Sequence, residues 1–195
     1  SWSSSVVGSR VVQTSVDLTR VPVAREDAMR AQTVVLTEDP VTSLALASSC
    51  DLMMRGWFAE HPGVEVCGLL LGGERDGIVT VDRVVKLENR SPDPARRFAM
   101  APADLVAACR AAHRDGRDVV GAWHSHPEAP ARPSEEDARL TASAFDHDAG
   151  WHVVILGVED GEPVLRAWRW SGDRFREVRL YVSEHLDVDG TARGE

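Results

Sequence analysis

A short apolar run, Val119 to Trp123, ends directly on two histidines, His124 and His126, spaced two apart. A run of this length reads as a buried strand. On a strand, side chains at i and i+2 share a face. The fold must therefore deliver two imidazoles side by side at the end of a core strand, and the rest of the chain is read around that point.

The other segments alternate between strand and helix signals. Thr33–Thr37 is a β-branched run and predicts a strand. Asp39-Pro40 then opens a helix, with Leu44, Ala47, Leu52, Met53 and Trp57 near helical spacing, closed by His61-Pro62-Gly63. Val64–Leu71 predicts a buried strand closed by Gly72-Gly73. Ile78–Leu87 predicts a second strand after a turn at Asp76-Gly77. A proline-containing loop follows, with Phe98 and Met100 marking a short strand. Pro102 starts a helix carrying Leu105, Val106, Cys109 and Ala112 on one face and stopped by Asp115-Gly116. Ser134 reads as a helix N-cap, with Asp137 at the third helical position and Leu140 and Phe145 behind it. Trp151–Val158, Val164–Trp170 and Phe175–Val182 predict three late strands, with turns at Asp160-Gly161 and Ser171-Gly172-Asp173. The expected fold class is α+β with α/β-like layers: a mixed sheet and about three helices. Residues 1–32 read as an N-terminal extension, either an edge strand or a tail. Residues 33–182 read as the main domain and 183–195 as a C-terminal tail.

Composition narrows the function. The net charge of -9 argues against a partner bound through its phosphates, so no nucleic acid, and against an anionic membrane surface. No run approaches the ~18 apolar residues of a membrane span. The three cysteines, Cys50, Cys67 and Cys109, form no CxxC pair. A disulfide framework or a zinc-thiolate site is therefore not expected, and a reducing, cytoplasmic setting is.

The chemistry concentrates in Trp123-His124-Ser125-His126-Pro127 and Pro133-Ser134-Glu135-Glu136-Asp137. Seven residues separate His126 from Ser134, enough for a loop that returns the chain to the strand end. Asp137, in the first turn of the next helix, can then reach the two imidazoles. Two His and one Asp make three protein ligands, the pattern of a catalytic metal with one open position. The mixed N/O set suits Zn2+ without excluding other first-row ions. Such an ion needs a base for its water. Glu65, a carboxylate at the head of the apolar strand Glu65–Leu71, is the candidate, because a carboxylate there is costly without a task or partner. The hydroxyl of Ser134 is suited to a developing oxyanion. Taken singly, each has a plainer reading: a satisfied histidine, a helix cap, a carboxylate favoured by a helix N-terminus, an exposed strand end.

His-Ser-His-Pro, seven residues, then Ser-x-x-Asp, with an upstream Glu in Glu65-Val-Cys-Gly-Leu-Leu-Leu-Gly, resembles the JAMM (MPN-plus) metallopeptidases over roughly Thr33–Val182. The resemblance implies a curved mixed sheet flanked by helices, similar to the cytidine-deaminase arrangement. It implies one zinc held by His124, His126 and Asp137, Glu65 as general base and then acid, and Ser134 as stabiliser of the tetrahedral intermediate. The compact chain is similar to bacterial members. That implies a ubiquitin-like partner, sulfur carrier or modifier, cut after its C-terminal Gly-Gly, with linear peptide and lysine isopeptide both open. The alternative is a non-catalytic adaptor that binds the ubiquitin-like protein and keeps the zinc site. A deaminase-like hydrolase is disfavoured because its Pro-Cys-x-x-Cys segment is missing. Cys67 reads as a buried structural thiol, Trp123 as packing, and Gly68 and Gly72 as sites of close backbone approach. Arg96-Arg97 reads as solvated or as a contact for a substrate tail.

Overall fold

The computed structural model describes residues 43–144, 150–184 and 186. They form eight strands and three helices. The first strand, β1 (Ser43–Ala47), runs into α1 (Ser48–Glu60). Next come β2 (Cys67–Arg75), β3 (Ile78–Leu87), α2 (Pro102–Arg114), β4 (Asp118–Ser125), α3 (Glu135–Ala144), β5 (His152–Glu159), β6 (Glu162–Trp170), β7 (Phe175–Val178) and β8 (Leu180–Ser183). The α+β class with a mixed sheet and three helices is as expected.

The strands make one sheet in the order β7-β6-β5-β4-β2-β3-β1-β8. Pairs β1/β3, β1/β8 and β4/β5 are parallel and the others antiparallel. The two edge strands, β7 and β8, are separated in sequence by Arg179 alone. One extended run thus pairs with β6 at one end of the sheet and with β1 at the other, and the sheet curls until it is nearly closed. That run covers the outer edges of β6 and β1, whose backbone groups would otherwise face solvent.

Side-chain alternation sorts the core. Leu70 of β2 points into a cluster to which all eight strands contribute, together with Cys50, Met54 and Trp57 of α1. This helix therefore lies against the concave face. Leu69 and Leu71 point the other way and pack on Leu105, Cys109 and Ala112 of α2. A third cluster joins Ala131, on the loop after the histidines, to Val153, Ile155 and Trp168. Asp76 and Gly77 both hold positive φ, as do Asp160 and Gly161, matching the two-residue hairpin turns expected there.

Several expectations change. Leu44 and Ala47 do not open a helix; Ser43–Ala47 is a strand whose Leu44 and Leu46 are fully buried between β3 and β8. Sheet pairing overrides a spacing that fitted both periods. In α1 the buried residues are Cys50 and Met54, whereas Leu52 and Met53 face out. Val106 of α2 is exposed as well, and so is Leu140 of α3. The strand expected to end at Gly72-Gly73 starts only at Cys67 and continues through both glycines to Arg75. Phe98 and Met100 lie in a loop and form no strand. Phe175–Val182 is divided between β7 and β8, because its halves pair with different neighbours. The strand expected at Thr33–Thr37, together with Phe145, falls outside the described residues. Among those residues, no helix is long and apolar enough to cross a membrane.

Candidate metal centre and active site

The C-terminal end of β4 carries His124 and Ser125, with His126 immediately after it. Strand β2 runs antiparallel to β4, with Cys67 opposite His124. The pairing continues past the strand: Ser125 N–H donates to Val66 carbonyl (2.9 Å), and Val66 N–H donates to Ser125 Oγ (3.0 Å). This register brings Glu65 to the level of His126. Asp137 arrives from the first turn of α3.

Ser134 caps that helix. Its Oγ accepts from Asp137 N–H (3.1 Å), while its own N–H and hydroxyl both donate to Asp137 Oδ2 (2.7 Å each). This is a capping box built on Asp in place of Glu or Gln. The hydroxyl expected at an oxyanion thus also orients the candidate ligand carboxylate.

His124, His126 and Asp137 are all buried, and one potential ligand atom from each lies within 4.8 Å of the others. The two Nε2 atoms are 3.1 Å apart. Asp137 oxygens lie 3.4 Å from His124 Nε2 and 3.7 Å from His126 Nε2. A tetrahedral ion with bonds of about 2.0–2.1 Å sets its donors roughly 3.3 Å apart. The triangle is of that size. Two ring nitrogens this close also need a shared proton or cation between their lone pairs. His126 Nδ1–H donates to Pro130 carbonyl (3.0 Å), which leaves Nε2 free as a ligand. The residues fit a zinc-like ion.

The charges reinforce one another. Burial alone raises Asp137, but the adjacent His124, hydrogen bonds to both imidazoles and the Ser134 N–H outweigh it and hold the carboxyl well below the usual range. Burial lowers His126, yet the Asp137 hydrogen bond, the Pro130 carbonyl and the charges of Asp137 and Glu65 push it up. Glu65 is 5% exposed. Burial pushes its carboxyl up to about 7, with Asp137 and Asp93 adding to the rise and His126 opposing it. A carboxylate tuned near neutrality beside a donor triangle has the character of a general base. The cleft here is lined by Glu65, Arg96, Arg97, Phe98, His126, Ser134 and Asp137.

Residues 48–171, more than half of the chain, match the family of prokaryotic homologs of the JAB domain. The chain belongs to that family. As a JAB-domain protein it is of the JAMM protease type. It is 32% identical over 126 residues to the desampylase of Haloferax volcanii, covering 64% of this chain and 82% of that protein. It is 35% identical over 81 residues to a probable TtuB-protein conjugate cleaving protease of Thermus thermophilus, covering 40% of this chain and 49% of that protein. A Desulfitobacterium hafniense protein solved in solution superposes with a TM-score of 0.64 at 29% identity, over 77% of this chain and 99% of that one.

Several supporting residues escaped the sequence reading. Ser125 ties β4 to the segment ahead of β2 that carries Glu65. Trp168 Nε1–H donates to Ala131 carbonyl (3.0 Å) and pins the loop that carries Pro130. Phe98 stacks on the His124 ring, centroids 4.5 Å apart. No sequence spacing links these pairs. The thiol of Cys67 is fully buried and pushed up to about 12, chiefly by burial and then by Glu65, which suits the inert role expected of it.

Proposed function

We propose that the chain is a zinc-dependent cytoplasmic protease that hydrolyses the peptide or isopeptide bond after the C-terminal Gly-Gly of a ubiquitin-like protein. The observation that carries this is the donor triangle of His124, His126 and Asp137 opening on a cleft lined by Glu65. The names of the archaeal and Thermus relatives support ubiquitin-like conjugates as the substrate class. Zinc bound there would act as a Lewis acid on the scissile carbonyl and acidify water at its open position.

The chain's own groups do the rest. Glu65 takes the proton from the attacking water and hands it to the departing amine. His126 is held in its ligating tautomer by Pro130. Ser134 orients Asp137 and turns its hydroxyl to the oxyanion as negative charge develops on the carbonyl oxygen. A glycine pair passes a narrow cleft without side-chain clash, and an extended tail can bind by strand addition.

The test is an intact-mass assay. Zinc-loaded chain is mixed with a bacterial ubiquitin-like carrier extended past its Gly-Gly, and in parallel with the same carrier linked to lysine. Cleavage is expected, lost on chelation and restored by zinc, and abolished in Glu65→Gln with one zinc per chain retained. Turnover by Glu65→Gln would remove the role given to Glu65. No cleavage of either substrate by a zinc-loaded chain would make it an adaptor.

A further inference from the structure

The loop between β3 and α2 is organised by one side chain that the reaction scheme above leaves without a role. Asn89 Nδ2 donates to Glu65 carbonyl and to Arg97 carbonyl, each at 2.9 Å. Its Oδ1 accepts from Ser91 N–H (2.9 Å) and from Ala99 N–H (3.1 Å). A carboxamide has two N–H donors and one oxygen with two lone pairs. All four are used, and two carbonyls facing two N–H groups permit only this orientation of the amide.

The partners are informative. Arg97 and Ala99 flank Phe98, so the amide grips the backbone on both sides of the residue stacked on His124. The third strong partner is the backbone of Glu65, whose N–H is also held by Pro94 of the same loop (2.7 Å). His124 makes the stack matter. Its Nδ1 is buried with no hydrogen-bond partner among the described residues. A ligating histidine is ordinarily oriented by a hydrogen bond from its second nitrogen. Here ring packing takes that place, and the packing partner is Phe98.

We propose that Asn89 is a positioning residue for the reaction, tying the backbone of Glu65 to the loop that seats Phe98 on His124. It touches neither substrate nor metal. It sets the base and one ligand ring in register through the chain on either side of it. The inference rests on the protease reading for its kinetic consequence but not for its structural one.

The test uses the full chain, zinc-loaded, with Asn89→Ala, Asn89→Asp and Phe98→Ala. The Asp variant keeps both acceptor bonds and removes both donors. Hydrogen exchange is followed over residues 89–99 and over β4 and β5. Kinetics use a bacterial ubiquitin-like carrier extended past its Gly-Gly by a fluorescent peptide. Expected in Asn89→Ala is loss of protection over 89–99 with protection in β4 and β5 kept. Expected with it is a fall in kcat of about 10–100-fold, the range for outer-shell partners of metal ligands, with KM changed less than threefold. Adding Phe98→Ala to Asn89→Ala should cost much less than the product of the two single effects. Wild-type protection over 89–99 in folded Asn89→Ala, or wild-type kcat in either folded Asn89 variant, overturns the proposal. So does a rise in KM alone, which would make the loop only a substrate wall. Should the unmodified chain cleave nothing, the protease reading fails while the exchange result still decides whether Asn89 holds the loop.

Discussion

Glu65 pays for its position in stability. Its carboxyl lies near 7 against an ordinary 4.5, so the folded chain binds its proton more tightly than the unfolded chain. Such a group favours folding below pH 4.5 and loses that advantage as pH rises through 7. At 1.36 kcal/mol per unit the cost at pH 8 is roughly 3 kcal/mol in the metal-free chain. Metal-free Glu65→Gln should therefore unfold at higher urea than the unmodified chain at pH 8, and the gap should close below pH 4.5. Equal midpoints at pH 8 would mean the carboxylate is not strained. His152 has the opposite sign. Burial, then the charge of Arg169, pushes it down from 6.5 to about 4, so its stabilising effect is whole above 6.5 and fades as pH falls toward 4. The loss is about 3 kcal/mol by the same conversion. In His152→Gln the stability measured between pH 7 and 4.5 should fall less steeply. The burial of His152 follows from pairing opposite Gly121, which no spacing in the sequence announces.

At the scale of elements, close backbone approaches build the site. A Cβ on Gly157 of β5 would strike Ala129, Pro130 and Ala131, the loop whose Pro130 holds His126. The same loop is stitched to β5 by Val158 N–H donating to Ala129 carbonyl (2.9 Å). Gly157→Ala should cost about 1–3 kcal/mol, the usual range for overpacking, and should weaken metal binding, read by thermal melting and zinc titration. Unchanged zinc affinity would show that the loop does not position His126. Gly68 is as confined: a Cβ there would meet Val85 carbonyl and the Trp123 indole, whose Nε1–H donates to that same carbonyl (3.2 Å). The close approach expected at Gly68 and Gly72 is present at both, since a Cβ on Gly72 would meet Thr80 carbonyl.

At the scale of the molecule, the decisive feature is the run from β7 to β8. Arg179 carbonyl accepts from Leu44 N–H (2.8 Å) at the point where the chain passes from one end of the sheet order to the other. A chain ended at Arg179 keeps β7 and leaves β1 with an open edge along Leu44–Ala47. It should melt lower and self-associate in size-exclusion chromatography, as unpaired edges do. A monomer of unchanged melting temperature would show that β8 is dispensable to closure.

Local chemistry was legible wherever one segment decided the outcome. The span Ile78–Leu87, the two hairpin turns, the helix from Pro102 and the Ser134–Asp137 cap all follow from side chains a few residues apart, acting through capping, turn and periodicity rules that need no tertiary context. The spacing of His124, His126 and Asp137 is legible in the sequence as well, but their meeting depends on the fold, which brings the first turn of α3 to the end of β4. What only the tertiary structure decided depends on partners distant in sequence. Leu44–Ala47 became a strand because β3 and β8 flank it. The late apolar run split because its halves bond to opposite ends of the sheet. Phe98 reached His124, and Asn89 reached Glu65, through loop closure, which local periodicity does not encode.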